Sequence, residues 1–357
     1  MLKATYKFSF ISGLKKFRLR RVAYIALFWT LTDMVATGLN FSSPNGHTKS
    51  IFVRAVLVFL MSGIMGYLFV FTLKRIFRES SLAVNFLAKT LILLFAALVM
   101  NFLAHFADSM LSAGLGVVES LHNFYANTMN GNWLLRRMMY WMVLFIFTQL
   151  YLEINDKYSP GVFLDIIAGK YIQPKVENRI IMFLDLKDST PIAEKLGHRE
   201  NFLFIREFIY EVSMAIIEHG GIIYQYVGDE IVVSWKYNKK NMRECLASVI
   251  VARKNIQKKS ERFRRHYGLV PEFRVGIHTG DVTVGEIGVI KKDLAMSGDT
   301  MNTTARIRSA CNELNEKFIV SKDFADKSSL QSFQLVSLGL IDLKGKSAGV
   351  ELFSLKI

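Results

Sequence analysis

Hydrophobic positions divide the chain into two stretches with different rhythms. Up to about residue 155 they come as long unbroken runs, approximately Val22 to Phe41, Ile51 to Leu73, Leu82 to Phe106 and Leu134 to Ile154. Each is about 20 residues, the length an α-helix needs to cross the hydrocarbon core of a bilayer. The first is too long and too polar in its middle for the apolar stretch of a cleaved signal peptide, and no small-residue cleavage pattern follows it, so it counts as a span. Beyond residue 178 short β-branched and aromatic runs alternate with helical periodicity. That pattern predicts a strand at Arg179 to Leu184, helices across Thr190 to His219 broken near Gly197, and a hairpin at Ile222 to Lys236. A long helix from about Asn241 to His266 comes next, then a strand at Glu272 to His278 with a hairpin partner at Asp281 to Ile287. A helix at Thr300 to Leu314 and short strands near Phe318 and after Phe333 complete the pattern. The expected fold class is α+β, with helices over one face of a sheet, preceded by an all-α membrane domain of four transmembrane helices.

The pattern implies three regions: a membrane domain over 1–155, a helical linker or transducer over 156–178, and a soluble domain over 179–357. Within the linker, Ser159-Pro160 opens a short helix, Gly161 to Lys170, with an apolar stripe of Val162, Phe163, Ile166 and Ile167, ended by Gly169 and Pro174. The segment Asp108 to Trp133, rich in Gly, Asn and Ser, reads as a short external loop. Asp33, Lys89 and Asn101 fall inside spans, where interhelical pairing is the ordinary role of a polar side chain. Arg54, Arg136 and Arg137 lie at span edges, positions that suit snorkelling.

Charge then orients the membrane part. Net charge is +15, and Lys or Arg occupy positions 3, 7, 15, 16, 18, 20 and 21 with no acidic residue before Asp33. This basic segment, with Lys74, Arg75 and Arg78 between the second and third spans, places both termini on the cytoplasmic side of a cell membrane. Because the basic cluster abuts an apolar span instead of lying on a soluble face, nucleic acid is not an expected partner. The two cysteines, Cys245 and Cys311, imply neither a disulfide framework nor a metal-thiolate site.

Three stretches carry candidate chemistry. Arg179 to Thr190, RIIMFLDLKDST, is a buried strand delivering Asp185 at its end. Ile222 to Trp235, IIYQYVGDEIVVSW, is a hairpin whose turn carries Asp229. Gly298 to Arg308, GDTMNTTARIR, is a turn and helix start with Asn302 and Arg306 four apart on one helical face. An Asp in an isolated hairpin is most often only a turn former. Together, in this order and spacing, the three stretches resemble the catalytic domain of the class III nucleotidyl cyclases, over about residues 175 to 357.

The resemblance implies a ferredoxin-like core and a homodimer whose sites are shared between subunits, with metals on one and the Asn and Arg on the other. It implies two Mg2+ or Mn2+ ions per active site on Asp185, Asp229 and the Leu186 carbonyl, and phosphate contacts along Lys187, Asp188, Ser189 and Thr190 at a helix start. Asn302 would hold the ribose, Arg306 the α-phosphate, and Lys344 in LKGK the triphosphate. The base-selecting positions are Gln225 and Ala295, with Ser297 as an extra polar contact. Both depart from the residues usual for either purine; the Gln225 amide can donate and accept and so could read either purine edge, which leaves the base open, while the lack of a carboxylate favours ATP over GTP. Lys187-Asp188-Ser189 also replaces a common Gly-Phe pair. The competing readings are a guanylate cyclase, a diguanylate cyclase, and an inactive nucleotide-binding or dimerisation module on a membrane sensor or transporter. The single Gly of the Tyr226 to Ile231 hairpin, which also lacks Phe, argues against the diguanylate cyclase, and joint retention of both Asp, the Asn and the Arg argues against the inactive module.

Overall fold

The computed structural model describes residues 13–40, 48–73, 76, 81–111, 114–129, 133–157, 165, 168–290, 293–328, 335–343, 346 and 349–357. It divides into two compact units, Met1–Lys157 and Tyr158–Ile357.

The first unit is helical: α1 Gly13–Asn40, α2 Thr48–Tyr67 with a π-helical continuation at Leu68–Leu73, α3 Leu82–Leu111, α4 Val117–Met129 and α5 Trp133–Lys157. Among the described residues two segments, Phe52–Leu73 and Ala83–Ala107, are long and apolar enough to cross a membrane. The other two expected spans are helices of sufficient length, but charge dilutes their apolar character: α1 carries a basic start and Asp33, and α5 carries Arg136, Arg137, Glu153, Asp156 and Lys157. The presumed loop after α3 instead contains the helix α4. Its first turn is closed by Glu119, whose carboxylate accepts from the Gly116 N–H at 3.0 Å, and its Phe124 ring packs edge-on to Phe102 at 5.0 Å.

Trp29, Trp141 and Phe145 form the aromatic centre of this unit, and the Trp29 indole donates to Thr148 Oγ1 at 3.0 Å. A polar cluster joins four helices. Asp33 of α1, 1% exposed, accepts from Arg54 Nε and Nη2 of α2 at 2.7 and 2.8 Å. Arg54 also reaches Asn101 Oδ1 of α3 at 3.4 Å. Arg137 Nη1 of α5 stands 3.5 Å from Asp33, while its Nη2 donates to Thr37 Oγ1 at 3.2 Å. Arg54 and Arg137 therefore turn inward to a shared carboxylate instead of snorkelling outward, since a buried anion offers more than partial hydration. Lys89 lies over the Phe69 ring at 5.0 Å.

The second unit is α+β. Its strands are β1 Lys175–Leu186, β2 Ile222–Val227, β3 Glu230–Lys236, β4 Phe273–Ile287, β5 Asp293–Ser297, β6 Phe318–Ser321, β7 Leu335–Ile341 and β8 Val350–Leu355. Its helices are α6 Ser189–Glu218, α7 Lys239–Lys258, α8 Ser260–Tyr267, α9 Asp299–Glu313 and α10 Lys322–Lys327. The sheet runs β2-β3-β1-β4-β6-β8-β7, with β5 added to β4, and its pairs are antiparallel except β4 with β6. β1 starts at Lys175, ahead of the expected Arg179, and lies centrally between β3 and β4.

Alternate residues of β1 serve two faces. Ile180, Met182, Leu184 and Leu186 join Phe204, Phe208 and Val249 in a core under α6 and α7. Ile181 and Phe183 face the other way, with Val232, Val282, Met296 and Met301. The second face carries α9, so helices cover both sides of the sheet and not one.

Two further expectations need correction. The strand and hairpin partner expected on either side of Thr279 are one continuous strand, β4. Gly280 looks like a turn residue in sequence, but a Cβ there would meet Thr300 Oγ1 at 2.5 Å, so it serves the close approach of α9. The long helix expected to His266 breaks at Lys259 into α7 and α8, which sends Phe263 into the core against Phe204, with ring centroids 5.7 Å apart. The break near Gly197 within α6 is present, with φ +72°. Most of the expected linker helix Gly161 to Lys170 lies outside the described residues; at its end Gly169 takes φ +68° and Lys170 pairs with Asp165 at 2.8 Å.

Candidate active site

The site grows from the ends of three strands. Asp185 is the penultimate residue of β1. Its cross-strand neighbour on β4 is Arg274, and that of Phe183 is Gly276, which puts Asp185 on the face carrying α9. Leu186, one residue on, buries its side chain in the opposite core. Asp229 occupies the two-residue turn between β2 and β3, where Val227 pairs with Glu230. Gly228 takes φ +63° there, a left-handed conformation that a side chain resists.

The structure brings Asp185 and Asp229 together. Burial first, then the negative charge of Asp229, pushes the Asp185 carboxyl up to about 6, with Arg308 opposing and a hydrogen bond to Asp229 adding to the rise. Burial likewise raises Glu230, against the pull of Arg308. Asp229 Oδ2 is buried with no hydrogen-bond partner among the described residues. A buried carboxylate oxygen with no protein donor, beside a second carboxylate, is chemistry that suits a cation. No three His, Cys, Asp or Glu side chains among the described residues converge as a ready metal cage. Two carboxylates fit a hard divalent ion that takes its remaining oxygens from backbone, water and a bound phosphate.

Beyond β1 the chain turns sharply. Lys187 N–H donates to the Glu272 carbonyl at 2.8 Å, and its ammonium lies 3.4 Å from Glu272 Oε2 and 3.7 Å from Asp188 Oδ2. Asp188 takes the left-handed conformation, φ +58° and ψ +37°, immediately before α6, and its side chain caps no amide of that helix. Ser189 and Thr190 form the first turn of α6, half-buried and exposed respectively.

Gln225 is exposed on β2, just after a register shift between Ile223 and Gln225. On β5, Ala295 is half-buried and pairs with Gly285, and Ser297 is exposed and pairs with Thr283. Met296 N–H donates to the Tyr224 hydroxyl at 3.0 Å, which ties β2 to β5 one residue from both Gln225 and Ala295.

On α9, Asn302 is exposed and Arg306 half-buried; neither side chain makes a hydrogen bond or ion pair with the described residues. They do not join the carboxylates. Arg308 does: Nη1 lies 3.2 Å from Asp185 Oδ2 and Nη2 2.6 Å from Glu230 Oε2. At about 100° per residue, Arg308 stands roughly 200° from Arg306 around the helix. Gly276 makes this possible, because a Cβ there would stand 2.5 Å from the Arg308 backbone nitrogen.

Arg308 and Glu230 were absent from the sequence-predicted set. Their signal was available in part: both sit inside the quoted motifs, but an arginine on a helix reads as solvated until its sheet partner is known. Lys344 lies outside the described residues. Lys346, two residues on, pairs with Asp299 Oδ2 at 2.8 Å and thereby ties its segment to the first turn of α9.

The family model of the adenylate and guanylate cyclase catalytic domain matches residues 172–356. The chain is 31% identical over 206 residues to adenylate cyclase 2 of Rhizobium meliloti (strain 1021), covering 57% of each. It is 25% identical over 221 residues to an adenylate cyclase of Anabaena cylindrica, covering 57% of this chain and 43% of that one. The chain thus spans about half the length of these curated relatives. A solved bacterial light-regulated adenylyl cyclase shares the fold, with TM-score 0.51 and 18% identity over 60% of this chain and 63% of that one.

Proposed function

The chain belongs to the class III adenylate and guanylate cyclase family, and on that premise we propose that the domain that begins with β1, residues 175–357, converts ATP to 3′,5′-cyclic AMP and pyrophosphate in a homodimer. The observation that carries this reading is the division of α9 into two opposed faces. Arg308 is committed to the carboxylates of its own chain, whereas Asn302 and Arg306 lie on another face of the helix with no hydrogen bond or ion pair among the described residues. An unpartnered, half-buried arginine suits a substrate held on a second copy of the same surface, which makes two equivalent sites.

In this reading Asp185, Asp229 and the Leu186 carbonyl hold two Mg2+ or Mn2+ ions. Such ions, when bound, would acidify the ribose 3′-hydroxyl and neutralise the triphosphate. The uncapped start of α6, Lys187 to Thr190, offers amides and an ammonium to phosphate oxygens. Arg306 from the partner copy spans the α-phosphate with a fixed planar charge where negative charge accumulates as pyrophosphate leaves. Asn302 orients the ribose one helical turn earlier. Lys344 is assigned to the triphosphate.

Adenine is favoured because neither Gln225 nor Ala295 supplies the carboxylate that would accept from guanine N1 and N2. The 31% identical relative is itself an adenylate cyclase, which supports the same choice. Residues 1–155 are assigned to a lipid bilayer as four spans, with both termini and the cyclase domain cytoplasmic, and the stretch from 156 to the start of β1 at Lys175 as the transducer between them.

The test is complementation. Asp185→Ala and Arg306→Ala proteins are each expected to lose at least about 100-fold in pyrophosphate release. Mixed under subunit exchange, they should recover about a quarter of native activity, since half of the dimers would be mixed and one of their two sites intact. ATP and GTP run in parallel assign the base, and persistent silence of an exchanged mixture overturns the shared site.

A further inference from the structure

Around the two carboxylates the charges do not balance. Asp185, Asp229 and Glu230 supply three potential negative charges at adjoining strand ends, against one guanidinium, Arg308, in contact with the first and third. Arg308 is held from behind as well as in front. Gly276 lets the α9 backbone sit directly on β4, and the Arg308 side chain is largely covered, at 23% exposure. Its Nε is buried without a hydrogen-bond partner among the described residues, so the group is placed for its forward contacts and not for its own saturation. The planar fork of a guanidinium can meet two carboxylates at once in fixed geometry, which the point charge of a lysine cannot.

Resting on the assignment of Asp185 and Asp229 as cation ligands, we infer that Arg308 is a positioning residue that sets the charge of the cation site and so makes metal binding depend on nucleotide. It fixes the Asp185 and Glu230 carboxylates on the α9 face and cancels one of three negative charges. A divalent ion then meets too little negative charge to bind tightly alone and gains affinity when the triphosphate adds its oxygens. Arg306 has the separate task of facing substrate on the partner copy. Two arginines two residues apart thus divide the work, one inward on the metal side and one outward on the phosphate side.

The test measures Mn2+ bound to the full chain in detergent by electron paramagnetic resonance, without nucleotide and without turnover. Arg308→Met is expected to bind Mn2+ about tenfold more tightly than the native protein, the direction opposite to that of a structural lesion. Glu230→Gln should weaken binding, and Glu230→Gln with Arg308→Met, which restores the charge count, should return it near the native value. If Arg308→Met alone fails to fold, Glu230→Gln and the double variant still make the same comparison. Unchanged or weaker Mn2+ binding after removal of Arg308 in both backgrounds overturns the inference. Asp229→Asn separates the two claims: if it leaves Mn2+ binding intact, the assignment of the cation ligands is what has failed.

Discussion

Two clusters of arginine and carboxylate, one in each unit, the first around a buried Asp33 and the second half-buried, carry opposite imbalances. In the helical unit Arg54 and Arg137 share a single Asp33, and Asn101 and Thr37 take up further donors. In the sheet unit Arg308 contacts Asp185 and Glu230, with Asp229 beside them, and a carboxylate oxygen of Asp229 has no hydrogen-bond partner among the described residues. The first cluster joins four helices at one level and is hydrogen-bonded on every side the structure shows. The second joins strand ends at an edge and pays for its anion excess by raising the Asp185 carboxyl toward neutrality. A buried cluster that satisfies itself is a fastening, whereas one that holds back ionisation is prepared for a cation from outside.

Removing one carboxylate from each cluster should therefore have opposite effects on stability. Asp33→Ala leaves two guanidiniums facing each other without an anion and is expected to destabilise the full chain in detergent by about 3–5 kcal/mol, read by thermal or denaturant unfolding. Asp229→Asn removes a like charge beside Asp185 and is expected to stabilise the metal-free protein by about 1 kcal/mol, while turnover falls at least about 100-fold. If Asp229→Asn instead loses stability on the scale of Asp33→Ala, the two clusters do the same structural job and the contrast fails.

His278 supplies an intermediate case, a buried group that resolves its mismatch by giving up charge. It lies on β4 with Nδ1 2.7 Å from Ser321 Oγ, and Asp323, Asp299, Lys346 and Lys327 stand around it. Burial lowers its pKa to about 4, against the ordinary 6.5. Below pH 6.5 the unfolded chain takes up a proton that the folded chain refuses until about pH 4, so this contribution to stability falls as pH falls across that window. The loss should reach about 2 kcal/mol at pH 5. Relative to His278→Gln, the native protein should show that much steeper a decline between pH 7 and pH 5; parallel curves would mean that the imidazole titrates normally.

How legible these features were depends on how local their causes are. The Ile222–Val227 and Glu230–Lys236 hairpin, Asp185 at the end of a buried strand, and the break at Gly197 all follow from short-range pattern and are present. The continuity of β4 was not legible, because Gly280 signals a turn in sequence and only the approach of Thr300 shows why a glycine is needed. The helix α4 was hidden by Gly, Asn and Ser around it, although the Gly116 and Glu119 pair that starts it is a local signal. The inward turn of Arg54, Arg137 and Arg308 was hidden for a deeper reason: an arginine's sequence neighbours say nothing about which distant carboxylate will be beside it. Asn302 and Arg306 were legible as one helical face, but their separation from Asp185 appears only once α9 is laid on the sheet.

The smallest expected effect concerns a carboxylate at the same site that is neither buried nor tightly paired. Asp188 is 58% exposed, stands 3.7 Å from the Lys187 ammonium, and occupies left-handed backbone space at φ +58°. That conformation costs an L-residue about 1–2 kcal/mol, less for Asp than for most, and costs glycine nothing. The exposed ion pair returns little, and glycine loses more freedom on folding, which offsets part of the gain. Asp188→Gly should accordingly stabilise the chain by about 0.5 kcal/mol in denaturant unfolding. Lost stability of 1 kcal/mol or more would show that the Asp188 carboxylate contributes as a partner, and the anion excess at this edge of the sheet would then be partly answered by Lys187 as well as by Arg308.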